Sequence, residues 1–306
     1  MRRHVGSERS RAFSLAELLV AMGVIGLVLG LTLPAIQRVR ESAARLQCQN
    51  NLRQIGIGLH NFHVSHNRLP PARPERFPSN EPESLLSWMA LILAHIDQGP
   101  LWEDTLRACM IDTHPYHSPP HVGYTTVIAS YVCPTDGRLR SPHVTPSGDR
   151  AAFGSYVGVS GMSATPFQFL PGALGLAPGM RLTDIKDGTS NTLMVGERPP
   201  PDSLQAGRWY SRLYVLERYG GPDCIMAMPE PRWAGDLECA RAGSSFGPGR
   251  TDNPCDRFHY WSLHPRGANF LFADGSVHFV RYTASALLPS FASASGGESV
   301  TLADIE

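Results

Sequence analysis

The sequence predicts an α+β protein in which one long N-terminal helix packs on an antiparallel sheet and long loops complete the head. Three observations lead there. Residues 18–36 form an uncharged run of 19 residues that passes into an amphipathic stripe with no strong break between them. Asp274-Gly275 stands between two short apolar runs, the pattern of a hairpin turn. Finally, 26 prolines and 29 glycines exceed the usual share, so much of the chain must be loop.

Composition sets limits on function. The 306 residues carry 27 basic and 27 acidic side chains, a balance that argues against a nucleic-acid partner. Hydrophobic residues at 42% suffice for a real core, and six cysteines are too few for a disulfide scaffold. The charge is unevenly placed. Residues 1–12 hold Arg2, Arg3, Arg9 and Arg11 against Glu8, which leaves the remainder mildly acidic. As a helix the apolar run nearly spans a hydrocarbon core of about 30 Å. Basic flanks stay in the cytoplasm, so the head is expected outside. A secretory signal peptide usually has a shorter apolar region and a small-x-small cleavage site, which Leu33-Pro34-Ala35 matches poorly. A plain anchor is a second reading. A third rests on Glu17, a carboxylate at the edge of the membrane run and hence a functional signal.

The elements follow in order. Residues 13–36 are the membrane half of the helix. Residues 37–66 continue it, with Cys48, Leu52, Ile55, Leu59 and Phe62 on one apolar stripe and Arg45, Gln49, Arg53 and Gln54 on the opposite face. Pro70-Pro71 ends it. Residues 67–306 form the head. It opens with a proline-rich loop at 72–83, a buried helix at 84–97 and a short helix from Leu101 to Met110. Strand signals cover Thr125–Val132, Ser155–Val159, Thr192–Gly196, Tyr210–Leu216, Ala268–Ala273 and Val277–Tyr282. An irregular excursion occupies about 202–256.

Ala12, Phe13-Ser14-Leu15-Ala16-Glu17 and the apolar run resemble the prepilin-type cleavage and methylation motif of type IV pilins and type II secretion pseudopilins. The resemblance implies cleavage by a prepilin peptidase between Ala12 and Phe13, removal of the leader 1–12, and N-methylation of Phe13. Ala12 replaces the usual glycine. Glu17 would then neutralise the new ammonium of a neighbouring subunit, turning two costly membrane charges into a pair. Pro34 removes one backbone hydrogen bond and permits a kink.

The chain also resembles a large bacterial family of unknown function that joins such an N-terminus to a C-terminal H-x9-D-G motif. The shared stretches are Gln47-Cys48-Gln49-Asn50-Asn51-Leu52-Arg53-Gln54-Ile55-Gly56, Leu59-His60-Asn61-Phe62-His63, Leu69-Pro70-Pro71 and Ser87-Trp88. They continue with Cys133-Pro134-Thr135-Asp136, Asp184-Ile185-Lys186-Asp187-Gly188-Thr189-Ser190-Asn191-Thr192 leading into Val195-Gly196-Glu197, and His264 with Asp274-Gly275. Together they cover nearly the whole chain. The family brings no settled activity with it.

Several residues carry candidate chemistry. His264 and Asp274 read either as a metal or acid–base pair or, more simply, as a hydrogen-bonded histidine and an Asx turn; the structural reading is preferred. His60, His63 and His66, with His114, His117 and His121, could converge on zinc or stand as separate loop histidines. Asp184, Asp187 and Asn191 surround Gly188 in an oxygen-rich loop of the kind calcium uses, or in an ordinary turn. Apart from that calcium candidate no cofactor is expected. Cys48 and Cys133 match the family and could pair or remain small buried hydrophobes; Cys224 and Cys239 are a second candidate bridge. Gly243-Ser244-Ser245-Phe246-Gly247 fits a hydrolase elbow but lacks the strand and helix that elbow needs.

The sequence therefore predicts a non-enzymatic, single-pass inner-membrane protein with its N-terminus cytoplasmic and its head extracytoplasmic, reaching the cell surface after assembly. Its expected partners are the peptidase, the membrane, and other pilin-like subunits packed laterally through their helices. No nucleic acid is expected. The alternative is a single-anchored extracytoplasmic binding module that never polymerises.

Overall fold

The computed structural model describes residues 15–71, 85–165, 168–175, 178–211, 223–230, 239, 246–297 and 300–305. The chain divides into two compact units after Ala43.

In the first unit, helix α1 (Leu15–His66) begins with the apolar run. Its large side chains there are exposed, Leu18 at 56% and Leu31 at 70%. The helix is long and apolar enough to cross a membrane. Pro34 lies inside it without ending it.

The second unit contains the rest of α1 and the head. Cys48, Leu52, Ile55 and Leu59 are fully buried, as the stripe predicts. Short helix α2 (Trp88–Leu91) is capped by Ser87, whose Oγ accepts from Ala90 N at 3.1 Å. It gives way to a 3₁₀ turn, Leu93–His95, instead of running through 97. This region must fit closely against α1: a Cβ built on Gly58 would lie 2.5 Å from Ile96 Cγ2. Helix α3 (Gly99–Ile111) follows.

A two-stranded ribbon, β1 (His143–Val144) and β2 (Arg150–Ala151), precedes the main sheet. The main strands are β3 (Tyr156–Thr165), β4 (Gln168–Pro171), β5 (Leu193–Glu197), β6 (Ile225–Met228), β7 (Gly267–Phe272) and β8 (Val277–Arg281). Their order is β4-β3-β5-β7-β8, all antiparallel, and β6 adds to β3 in parallel. The sheet is buried on both faces, so β5 and β7 are buried at every residue. Leu271 and Ala273 enter the core shared with α1, while Ala268, Phe270 and Phe272 enter a second core with Tyr260, Leu288 and Phe291.

Two of the strand expectations differ from the structure. Thr125–Val132 is not a strand but two 3₁₀ turns, Val122–Thr125 and Ala129–Tyr131. Its carbonyls are taken by turns and by single bonds, as where Ala152 N donates to Tyr124 O and Ser155 N to Tyr131 O. Second, the excursion at 202–256 holds a real strand, β6, whose Ile225, Met226 and Met228 are core residues. Of the predicted strand at Tyr210–Leu216, residues 212 onward lie outside the described residues.

Candidate functional site

The strand registers build one cross-sheet row. Tyr156 stands opposite Glu197 and Asn269 opposite Phe279. Gly196 faces Phe270, so Glu197 and Asn269 are the next partners along. Opposed residues project to the same face, and here that face receives α1. Arg45 stacks over the Phe279 ring at 4.8 Å, Gln49 Nε2 donates to Asn269 Oδ1 at 3.1 Å, and Asn51 Nδ2 donates to Tyr156 Oη at 3.3 Å. Arg45 and Gln49, expected on the outward face, therefore flank the buried stripe.

At the centre of this row four side chains from four segments converge. Cys48 comes from α1, Cys133 from the turn after Tyr131, Glu197 from the end of β5, and His264 from the segment before β7. One donor atom of each lies within 4.8 Å of the others. Cys133 Sγ is 3.6 Å from His264 Nε2, which is 3.6 Å from Glu197 Oε1. All four residues are buried, none more than 3% exposed.

Each is held by local structure. Cys133 N donates to Ser155 Oγ at 3.0 Å, and the Thr135 N–H turns back onto the Cys133 sulfur within the Cys-Pro-Thr-Asp turn. His264 N donates to Ser262 Oγ at 3.0 Å, and that hydroxyl donates to Gly267 O at 2.7 Å. Glu197 accepts the Asn269 backbone N–H at 2.6 Å and its side-chain amide at 3.1 and 3.2 Å. The Tyr156 hydroxyl donates to the Cys48 carbonyl at 3.5 Å.

The electrostatics follow from this crowding. Donation by the Cys48 thiol pulls Cys133 down, helped by His264 and the Thr135 N–H. The same bond, with burial, drives Cys48 upward. Burial pushes Glu197 up to about 7, against the pull of His264. The set combines soft sulfur, imidazole and carboxylate donors.

The H-x9-D-G motif is resolved into two tasks. His264 joins the cluster beside Cys48. Asp274 sits at the far end of β7, about 20 Å of strand away, exposed, with its Oδ1 accepting from Ser276 N at 2.8 Å. Gly275 adopts φ +88° and packs over His60. The motif thus touches α1 at two points, Cys48 and His60, about 18 Å apart along the helix. His264 and Asp274 do not form a pair.

The other candidates fare differently. Asp187 Oδ2 accepts from Gly296 N at 2.7 Å and Ser293 Oγ at 3.2 Å, and its Oδ1 from Gly297 N at 3.0 Å. Asn191 Nδ2 donates to Asp187 O at 3.3 Å, and Asp184 is exposed in a 3₁₀ turn. These contacts shape a turn that binds the C-terminal segment. The six loop and helix histidines do not converge as one set. His63 Nε2 accepts from Leu182 N, His66 stacks on Phe62, and His121 is buried between Tyr210 Oη and Asp112 O. His114 and His117 gather on Asp112 at the surface. Cys239 bridges to Cys255 rather than to Cys224, because Cys224 is turned into the core at the start of β6, its thiol donating to Ser211 O at 3.8 Å. Ala12 and Phe13 lie outside the described residues; Glu17 and Pro34 both fall within α1.

Cys48 and Cys133 were visible in the sequence as family residues, and His264 as a motif residue. Glu197 was visible only as part of Val-Gly-Glu, and nothing in the spacing joined the four. The profile of the family described as "protein of unknown function (DUF1559)" matches residues 37–286, and the chain belongs to that family. No curated protein and no solved structure matches it.

Proposed function

We propose that this member of the DUF1559 family is a membrane-anchored, pilin-like structural subunit that assembles through α1. The observation that carries the reading is Glu17, an acidic residue in the first turn of an otherwise uncharged, exposed apolar helix segment. An anchor alone needs no carboxylate there, since charge in the membrane is costly. Paired with the α-ammonium of a neighbouring subunit, it becomes an assembly contact. On this reading a prepilin peptidase cuts after Ala12, Phe13 is methylated, the N-terminus starts in the cytoplasm, and the head works outside the inner membrane within a pilus or secretion-type assembly. The protein performs no catalysis.

A second reading, the anchored binding module, draws on a cleft of about 470 Å³ between α1 and the head, lined by Gln47, Asn51, Gln54, Val132 and Arg140. Its volume suits a small ligand.

Glu17→Ala separates the two. Assembly predicts that the variant stays in the membrane but loses cross-linked multimers of α1. Multimers at wild-type yield would overturn it. In the same preparation the intact mass of the wild-type chain should start at Phe13 and carry one methyl group.

A further inference from the structure

We propose that Cys48, Cys133, Glu197 and His264 bind one zinc ion, which fastens α1 to the sheet of the head. The site lies wholly within the second unit and does not depend on the assembly reading.

Geometry is the first argument. A tetrahedral zinc with ordinary Zn–S and Zn–N lengths sets its sulfur and nitrogen ligands about 3.6 Å apart, and its nitrogen and oxygen ligands about 3.4 Å apart. The Cys133 Sγ to His264 Nε2 distance is 3.6 Å, and His264 Nε2 to Glu197 Oε1 is 3.6 Å. All four donors fall within 4.8 Å of one another, so little movement is needed to surround an ion.

Charge is the second. Burying a carboxylate beside two sulfurs is costly, and the one imidazole beside it, 3.6 Å from Glu197 Oε1, offsets at most a single charge. Two thiolates, a carboxylate and a neutral imidazole place three negative charges around a divalent ion, which cancels two. A Cys48–Cys133 disulfide, the covalent competitor in an oxidising compartment, gives no reason for Glu197 and His264 to converge on it.

The surroundings are the third. Metal ligands are held by hydrogen bonds from outside the coordination shell. Here Asn269 holds Glu197, the Thr135 N–H points at the Cys133 sulfur, and the Tyr156 hydroxyl holds the backbone of Cys48 through its carbonyl. Four protein donors and full burial describe a closed structural site without an open position for substrate. Thiolate with imidazole favours zinc over calcium or magnesium.

The test uses the full chain in detergent, purified without chelator or immobilised-metal resin, with zinc counted by mass spectrometry. About one zinc per chain is expected, falling at least tenfold in Cys133→Ser and His264→Ala and unchanged in Cys109→Ser. Should the site variants fail to fold, cobalt exchanged into the wild-type chain reads the site directly: tetrahedral thiolate ligation gives a near-ultraviolet charge-transfer band and strong visible bands. A wild-type chain that holds no zinc, that holds another metal instead, or whose non-reducing digest yields a Cys48–Cys133 linked peptide overturns the proposal.

Discussion

Asn269 gives Glu197 both its backbone N–H, at 2.6 Å, and its side-chain amide, at 3.1 and 3.2 Å, while its own Oδ1 accepts from Gln49 of α1. One asparagine, fully buried in β7, thus orients a buried carboxylate and ties it to the helix. Replacing it with leucine keeps the backbone bond but strips the carboxylate of its amide donor and leaves Gln49 without this acceptor. Hydrogen bonds to charged groups contribute about 1.5–3 kcal/mol each, and a buried acceptor left unsatisfied costs a similar amount. Asn269→Leu should therefore lower unfolding free energy by about 2 kcal/mol, read from denaturant unfolding of the detergent-solubilised protein. Gln49→Ala, at a half-buried position, should cost about 1 kcal/mol. Equal losses for the two variants would contradict the central place given to Asn269.

The Asp274-Gly275 turn makes a different prediction. Gly275 N donates to Phe272 O at 3.0 Å and Phe272 N to Ser276 O at 2.9 Å, with Gly275 at φ +88°. This is a type I turn closed by a bulge glycine in the left-handed region. A side chain has room there, the nearest atom to a built Cβ being His60 Nε2 at 3.7 Å. The cost of substitution is thus conformational and not steric. Gly275→Ala should destabilise by about 1 kcal/mol. Gly275→Asn should cost less, because asparagine enters that region more readily. Matching thermal shifts for the two variants would show that crowding, not backbone conformation, sets the requirement.

What the sequence made legible tracks how locally each feature is determined. The α1 stripe, α3, the strands from Tyr156, Leu193, Gly267 and Val277, and the hairpin glycine are all written in short-range patterns. β6 was not, because Ile-Met-Ala-Met sits among glycine, proline and cysteine and becomes a strand only by pairing with β3. In Thr125–Val132 the β-branched and aromatic residues reflect burial rather than extended pairing, so a strand-like composition folds as 3₁₀ turns. The four-residue cluster was illegible as a set. Its members come from positions 48, 133, 197 and 264, and only the register Tyr156 to Glu197, with the row it begins, brings them under α1. Arg45 and Gln49 reach the sheet from beside the stripe for a related reason. A helix lying across a sheet contacts it over a wider arc than its apolar stripe, and long polar side chains reach the flanking strands.

Asp112 supplies a pH prediction that stands apart from the buried cluster. Its carboxylate lies at the end of α3 and takes the His114 backbone N–H at 2.8 Å, then the His117 Nδ1–H at 2.6 Å. These donors, the His114 backbone first, hold it down to about 2 from an ordinary 3.8. A folded-state value below the unfolded one means the carboxylate supports the fold above about 3.8. That support is lost as pH falls through about 2. Because the group is at the surface, solvent screening keeps the effect on global stability small, and the sensitive readout is the titration itself. Carboxyl NMR of Asp112 should give a midpoint near 2 in the wild-type chain. His117→Ala removes the second donor and leaves the first, so the midpoint should rise yet stay below 3.8. An unmoved midpoint would mean that the backbone turn alone sets the acidity of Asp112 and that His117 is a bystander to it.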